Sequence, residues 1–181
     1  MASFVGSRVM PFADHLDHAI RMVCQALIYL TTTILLVALT LNVLFRYILP
    51  GGGINWLSEL PEHLFPWMIA GGVVLAAQHN AHIAVDFVLE ALGERSGRIM
   101  MVAIQLLLLA TYVVFTVVAW NVSQIVAIEF SSLLRISRSY AYYALVFLGV
   151  GLCLTSLSMA LRVGLQGLGA LPVADPEDSV I

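Results

Sequence analysis

The sequence predicts an all-α integral membrane protein with four transmembrane helices. Of its 181 residues, 61% are hydrophobic and only 10% are charged, whereas soluble domains carry about 25% charged residues. Uncharged stretches cover residues 22–45, 63–85, 99–128 and 139–161, and each exceeds the roughly 20 residues that cross a bilayer as a helix. Runs this long in lipid must satisfy their backbone hydrogen bonds internally, which favours helices.

We expect residues 1–181 to form a single membrane domain that begins with an amphipathic surface helix, residues 11–21. On a helix, Asp14, Asp17 and Arg21 share one face, while Leu16 and Ile20 lie on the other. That pattern is typical of a helix lying on the membrane surface. The first span follows at residues 22–48. It is too long and too late in the chain for a cleaved signal peptide, so we expect it to be retained.

The second predicted span, residues 57–80, follows a Gly-rich turn at residues 50–55. An amphipathic connection, residues 82–95, comes next, in which His82, Asp86, Glu90 and Glu94 recur every four residues. On a helix they form one polar stripe. The connection is therefore either an interfacial helix or a polar-faced extension of the second span.

The third and fourth predicted spans are residues 99–128 and 139–163, and the third is long enough to tilt or to project from the bilayer. Residues 171–181 are acidic and predict a flexible tail. In this topology five arginines lie on one side and three on the other, and the positive-inside rule then places both termini in the cytoplasm. The five are Arg8, Arg21, Arg95, Arg98 and Arg162, and the three are Arg46, Arg135 and Arg138.

Several function classes lack their sequence signals. There is no Lys and no basic stripe, so nothing points to nucleic acid. No nucleophile–base motif or phosphate-binding loop suggests an enzyme. Cys24 and Cys153 have no spacing typical of a zinc site. No charged residue falls in the middle of a span, although transport pathways use such groups. We therefore expect no catalytic, cofactor-binding or metal-binding residue.

Histidines raise one alternative, a haem-bearing membrane anchor of a redox enzyme. Haem iron in membrane proteins is held by axial ligands such as histidine. His63 and His79 lie on one span, about 24 Å apart along a helix at 1.5 Å per residue. No pair of histidines falls at matched depth on two spans, so hydrated histidines at the helix ends are the favoured interpretation.

A polar cluster surrounds the first turn. It contains Asn42, Arg46 and Tyr47 at the end of the first span, then Trp56 and Glu59 at the start of the second. An ion pair between Arg46 and Glu59 would tie the two spans together. Alternatively, Arg46 extends to the lipid headgroups, and Trp56 is an interfacial aromatic residue. Spacing leaves both interpretations open.

From these residues onward the sequence resembles the small membrane subunit (the Q subunit, DctQ-like) of TRAP transporters, the tripartite ATP-independent periplasmic transporters. The family shows N-x-x-x-R-Y, W-x-E-E, a tryptophan and glycine in the second span, and R-x-x-x-H-[IV]-x-V-D. Here these correspond to residues 42–47, Trp56 with Glu59, Trp67 with Gly71, and residues 80–86, which include His82 and Asp86. The order and spacing agree from about residue 20 to residue 163.

Three positions depart from the family pattern. Ser58 replaces the first acid of W-x-E-E, Gln78 replaces the arginine before the motif histidine, and Ser137 stands near the usual proline. Roles that the family assigns to those groups do not transfer to this chain.

The resemblance implies a non-catalytic scaffold in the bacterial inner membrane, in contact with lipids. Its partners would be a large membrane subunit that carries the sodium and substrate sites, and a periplasmic solute-binding protein that delivers an organic acid. The motif residues then become candidates for structural or partner contacts, and we interpret His82 and Asp86 as a structural pair. A self-sufficient small oligomeric transporter stays open as a second alternative.

Overall fold

The computed structural model describes residues 2–48, 54–78 and 94–166, and within them the predicted all-α membrane fold is confirmed. Four long helices fill these ranges: α1 (Ala2–Ile48), α2 (Leu60–Gln78), α3 (Glu94–Ile125) and α4 (Ser139–Gln166). All four are long and apolar enough to cross a membrane. Two short 3-10 helices, Asn55–Ser58 and Val126–Ile128, lie beside α2 and α3.

The predicted surface segment 11–21 is helical and continues into the first span without a break. This single helix differs from the predicted surface helix followed by a separate span. The physical reason is that residues 12–48 contain no glycine and no proline, so nothing in them breaks the helix. The placement of residues 11–21 at the membrane surface stays a prediction. The amphipathic connection 82–95 and the tail 171–181 lie wholly or almost wholly outside the described residues.

The helices are arranged as an open row rather than a closed bundle. α1 packs on α2, α2 packs on α4, and α4 packs on α3, while α1 touches α4 over only a short stretch. In the most hydrophobic 18-residue stretch of α4, 44% of the residues are buried, against 11% in that of α3. α4 is thus the central helix, and α3 is an edge helix with much of its apolar surface uncovered.

Glycines allow the closest helix contacts. A Cβ atom at Gly71 would stand 3.2 Å from the backbone oxygen of Cys24 in α1, and one at Gly151 would stand 2.7 Å from a methyl of Val74 in α2. Membrane helices associate largely through such van der Waals contact at small residues. On the other side of α4, a Cβ atom at Gly149 would overlap Thr116 of α3.

The antiparallel row has two ends. The Glu59 end contains residues 46–48, 54–63 and 125–142, and the Asp17 end contains residues 14–21, 75–78, 96–105 and 155–165. Between them lies a small core of Cys24, Val74 and Leu152. Polar contacts gather at the two ends, which is where functional candidates must be sought.

Candidate functional site

Glu59 holds the turn between α3 and α4. Its Oε2 accepts hydrogen bonds from the backbone N–H groups of Leu133 and Leu134, both at 3.0 Å, and from the hydroxyl of Ser131. The two backbone N–H groups lie in a non-helical segment, so they have no helix carbonyl four residues earlier to donate to. A carboxylate is the strongest acceptor available for such N–H groups. Glu59 therefore connects the start of α2 to a loop more than seventy residues later.

The ion pair between Arg46 and Glu59, one of the two interpretations that the sequence leaves open, is not formed among the described residues. Arg46 is exposed at the end of α1, and its side chain makes no ion pair or hydrogen bond with another described residue. The physical reason is competition, because the N–H groups at residues 133 and 134 and the Ser131 hydroxyl already occupy the carboxylate. The arrangement of Arg46 matches the alternative interpretation, a guanidinium free to reach the headgroups.

A second ionic group lies at the same end. Arg138 contacts Glu62 of α2 at 3.3 Å and Glu129 at 3.9 Å, and all three side chains are about half exposed. An exposed pair contributes at most about 1 kcal/mol, so this group guides α2 and α4 into register more than it stabilises them. Beside it, a cavity of about 300 Å³ is lined by these charges and by His63 and Tyr142.

Trp67, one of the motif residues, joins α2 to α4. Its indole N–H donates to the backbone oxygen of Tyr140 at 3.1 Å, and its ring lies 5.9 Å from that of Phe147. A tryptophan in a membrane helix usually has a hydrogen-bond partner for its N–H when it is buried. The tryptophan of the motif thus has a structural role within this chain.

The Asp17 end carries the most buried ion pair among the described residues. Arg162 of α4 contacts Asp17 of α1 at 2.5 Å and Asp14 at 2.8 Å, and Ser158 donates to the same oxygen of Asp17 at 2.9 Å. Gln78 of α2 donates to the backbone oxygen of Asp17 at 3.2 Å. Three helices therefore meet at Asp17, α4 through its carboxylate and α2 through its backbone oxygen. The side chains of Asp17 and Arg162 are only 24% and 27% exposed.

A polar cavity of about 130 Å³ adjoins this pair. Three buried atoms on its walls have no hydrogen-bond partner among the described residues: Asp17 Oδ1, Gln78 Oε1 and Arg162 Nε. Two acceptors and one donor around one space suit hydration rather than an apolar void. Gln78, where the family has an arginine, is thus a member of the polar cluster.

Sequence reasoning missed this cluster, because it assigned Asp17 to a surface helix and Arg162 to the end of a span. A signal was present. Asp17 and Arg162 are opposite charges at the same end of two antiparallel predicted spans. The pattern could not show that α1 and α4 lie close enough to meet.

The other motif residues are placed as follows. Asn42 is half-buried, and Tyr47 and Trp56 are exposed at the Glu59 end. His82 and Asp86 lie outside the described residues, so their predicted pairing stays a prediction. Ser58 donates to the backbone oxygen of Asn55 at 2.5 Å, which closes its own short helix. Ser137 donates to the backbone oxygen of Ala127 at 3.0 Å, so it braces the turn before α4.

The described histidines and cysteines are spread over both ends and the middle of the row. His63 lies at the Glu59 end, and its Nδ1 lies 3.3 Å from the backbone oxygen of Glu59. His15 and His18 lie at the opposite end. Within the described ranges no group of three or more histidine, cysteine, aspartate or glutamate residues could hold a metal ion. Cys24 and Cys153 are free thiols.

Comparison with known proteins gives a family and two relatives. The family "Tripartite ATP-independent periplasmic transporters, DctQ component" matches residues 13–164. An uncharacterised protein, y4mM, of Sinorhizobium fredii is 37% identical over 129 residues, which is 71% of this chain but 24% of that protein. A Haemophilus influenzae protein named as a TRAP transporter small permease protein is 27% identical over 151 residues, covering 80% of this chain and 85% of that protein.

Proposed function

Because this chain belongs to the DctQ family of TRAP transporter components, we propose that it is a small permease subunit that scaffolds a large transport subunit. The observation that carries the proposal is the family match over nearly the whole apolar region, residues 13–164. We propose further that the assembled transporter takes up an organic acid with a sodium gradient and a periplasmic binding protein. The sodium and substrate sites would belong to the large subunit.

The charge distribution of the chain supports a scaffold. Aspartate, glutamate and arginine side chains in the described spans lie near the two ends, where Arg138 pairs with Glu62 and Arg162 pairs with Asp17. Ions and charged substrates generally need ionisable groups within the bilayer. The hydroxyls of the half-buried Thr116 and the buried Thr155 donate to carbonyls of their own helices, so they are committed to structure. We therefore assign transport to the partner.

The open row supports a partner rather than a free-standing fold. Large apolar side chains on α1 and α3 are exposed, including Leu36 at 66% and Leu107 at 69%. Lipid covers part of that surface, and a rigid row of four helices also offers an extended face to another membrane protein.

Co-purification tests the scaffold directly. We expect the chain to co-purify with its large subunit when both are expressed, and to aggregate in detergent when expressed alone, because uncovered helix faces pack poorly without their partner. The measurement is size-exclusion chromatography with and without the partner. A stable, monodisperse chain that ignores the large subunit would contradict the scaffold, and uptake by this chain alone in proteoliposomes would assign transport to it.

We propose that both termini lie in the cytoplasm, with the chain in the bacterial inner membrane. The arginine asymmetry supports this orientation, which places the Asp17 end inside and the Glu59 end outside. Alkaline phosphatase fused after Ile181 should be inactive, while green fluorescent protein at the same position should fluoresce. The reverse pattern would overturn the orientation without affecting the fold.

A further inference from the structure

The turn between α3 and α4 is a compact hairpin, Glu129–Arg138, whose two arms are joined by backbone hydrogen bonds. The N–H of Ser131 donates to the backbone oxygen of Ile136 at 2.9 Å, and the N–H of Arg138 donates to that of Glu129 at 3.0 Å. Glu59 accepts from the hairpin tip. Non-helical backbone at the depth of a membrane requires internal partners of this kind.

The hairpin and its approach expose apolar side chains. Ile128 is 83% exposed, Phe130 is 64% exposed and Leu133 is 50% exposed. A contiguous exposed apolar surface of this kind is typical of a site that contacts a membrane or another protein. It also continues the exposed apolar edge of α3, where Ile125 is 71% exposed.

The aromatic residues place the hairpin at the membrane boundary. All three tryptophans of the chain lie toward the Glu59 end, and tryptophan and tyrosine are enriched where the bilayer meets water. Trp56 comes three residues before Glu59, whose carboxylate binds the hairpin tip, and Tyr140 follows the hairpin by two residues. Both rings are about half exposed. The hairpin therefore lies level with interfacial aromatic residues.

The charges of the hairpin fit a lipid surface. Glu129 and Arg138 are already paired, in a group that includes Glu62. Arg135 is exposed and has a left-handed backbone, with φ of 53°, and it makes no ion pair with another described residue. A guanidinium beside exposed apolar side chains at this level can bind the phosphate oxygens of lipid headgroups in a bidentate manner.

We propose that the hairpin Glu129–Arg138 is an interfacial membrane anchor that binds the phospholipid surface of the leaflet at the Glu59 end. Phe130 and Leu133 insert between headgroups into the upper acyl chains, and Arg135 contacts phosphate. Glu59 makes the anchor possible, because it satisfies the N–H groups that would otherwise draw the hairpin into water. The anchor fixes the depth of the central helix α4, which begins directly after it.

Fluorescence quenching tests the anchor in vesicles of phosphatidylethanolamine and phosphatidylglycerol. An environment-sensitive dye is attached at Leu133→Cys, and separately at Phe130→Cys, in a chain with Cys24→Ala and Cys153→Ala. A dye at Leu107→Cys, on the exposed face of α3 within its apolar span, provides the deep reference. The chain is reconstituted alone and with its large subunit, so failure of assembly and failure of anchoring are seen separately.

We expect quenchers attached to lipid near the headgroup to reduce emission at positions 133 and 130 more than deep quenchers do, and the reverse at position 107. Aqueous iodide should quench the two hairpin positions several-fold less than it quenches the free dye. Glu59→Ala should raise iodide quenching at position 133, since the hairpin then needs water. Full iodide quenching of the unaltered hairpin would overturn the anchor. Shielding from every quencher, seen only with the large subunit present, would also overturn it in favour of a protein interface.

Discussion

Alanine at Gly151 should destabilise the protein, whereas alanine at Gly164 of the same helix should be neutral or stabilising. The new Cβ at position 151 would stand 2.7 Å from a methyl of Val74, while a Cβ at position 164 meets nothing within 4 Å. Both changes gain about 1 kcal/mol of helix propensity over glycine. The two substitutions differ mainly in packing, so their effects should have opposite signs.

The clash at Gly151 cannot be relieved easily. Val74 is fully buried, and a β-branched side chain in a helix has one strongly preferred rotamer. Its rotation away from α4 is therefore costly, and the helices must separate instead. Overpacking of this kind costs about 1–3 kcal/mol, which exceeds the gain in propensity. The effect should be large because α4 is the central helix of the row.

The prediction is tested by the melting temperature of the purified complex that carries each variant. A second matched pair comes from α2, where Gly71→Ala presses on the backbone oxygen of Cys24 and Gly72→Ala meets open space. We expect the melting temperature to fall for positions 151 and 71 and to hold or rise for positions 164 and 72. Equal shifts within each pair would mean that these helices do not pack as closely as described.

The sequence is enough to predict the four membrane spans, but it is not enough to predict how they pack. Long uncharged stretches are sufficient for the four spans, because the bilayer imposes its thickness on each of them separately. The packing order of the four helices cannot be predicted from such stretches. Which helix lies beside which depends on the shapes of small residues, such as Gly151 against Val74, and no hydrophobic period reports those shapes.

The prediction for Glu59 shows the same limit. Proximity along the chain makes Arg46 one possible partner of Glu59, and spacing cannot decide whether the two residues meet. The structure supplies a competitor, the N–H groups at residues 133 and 134, which are brought in by the packing of α4 on α2. A carboxylate chooses among all donors within reach, so its partner follows from the tertiary arrangement rather than from the nearest opposite charge in the sequence.

The last prediction concerns the Asp17 end, where Arg162→Ala should be more destabilising than Asp17→Ala, and Asp17→Ala more than Asp14→Ala. Removal of Arg162 leaves two neighbouring carboxylates without their cation, and one of them, Asp17, is only 24% exposed. Removal of Asp17 leaves Arg162 with Asp14 at 2.8 Å. Removal of Asp14 takes away a carboxylate whose side chain is 62% exposed, so its loss is largely made good by water.

The expected losses in the free energy of unfolding follow from how deeply each side chain is buried. Breaking a fully buried pair costs 3–5 kcal/mol, and an exposed pair contributes at most about 1 kcal/mol. With both partners about one quarter exposed, we expect about 2 kcal/mol for Arg162→Ala, between those two limits. Asp14→Ala should cost less than about 1 kcal/mol. Asp17→Asn should fall below Asp17→Ala in cost, because an amide oxygen can still accept from Ser158.

A double-mutant cycle on the thermal stability of the complex decides whether the pair itself is responsible. Asp17→Ala combined with Arg162→Ala should cost less than the sum of the single changes, since the second change removes the charge that the first left unpaired. Arg162→Lys should recover only part of the stability, because a flexible lysine stem lacks the rigid planar guanidinium that holds its Nη2 between both carboxylates. Strict additivity, or equal costs at positions 14 and 17, would show that Asp17 and Arg162 do not act together. Since α1 touches α4 over only a short stretch, loss of this pair should also loosen α1 specifically. Relative to the unaltered protein, the Arg162→Ala variant should show a larger increase in the rate of hydrogen exchange in α1 than in α3.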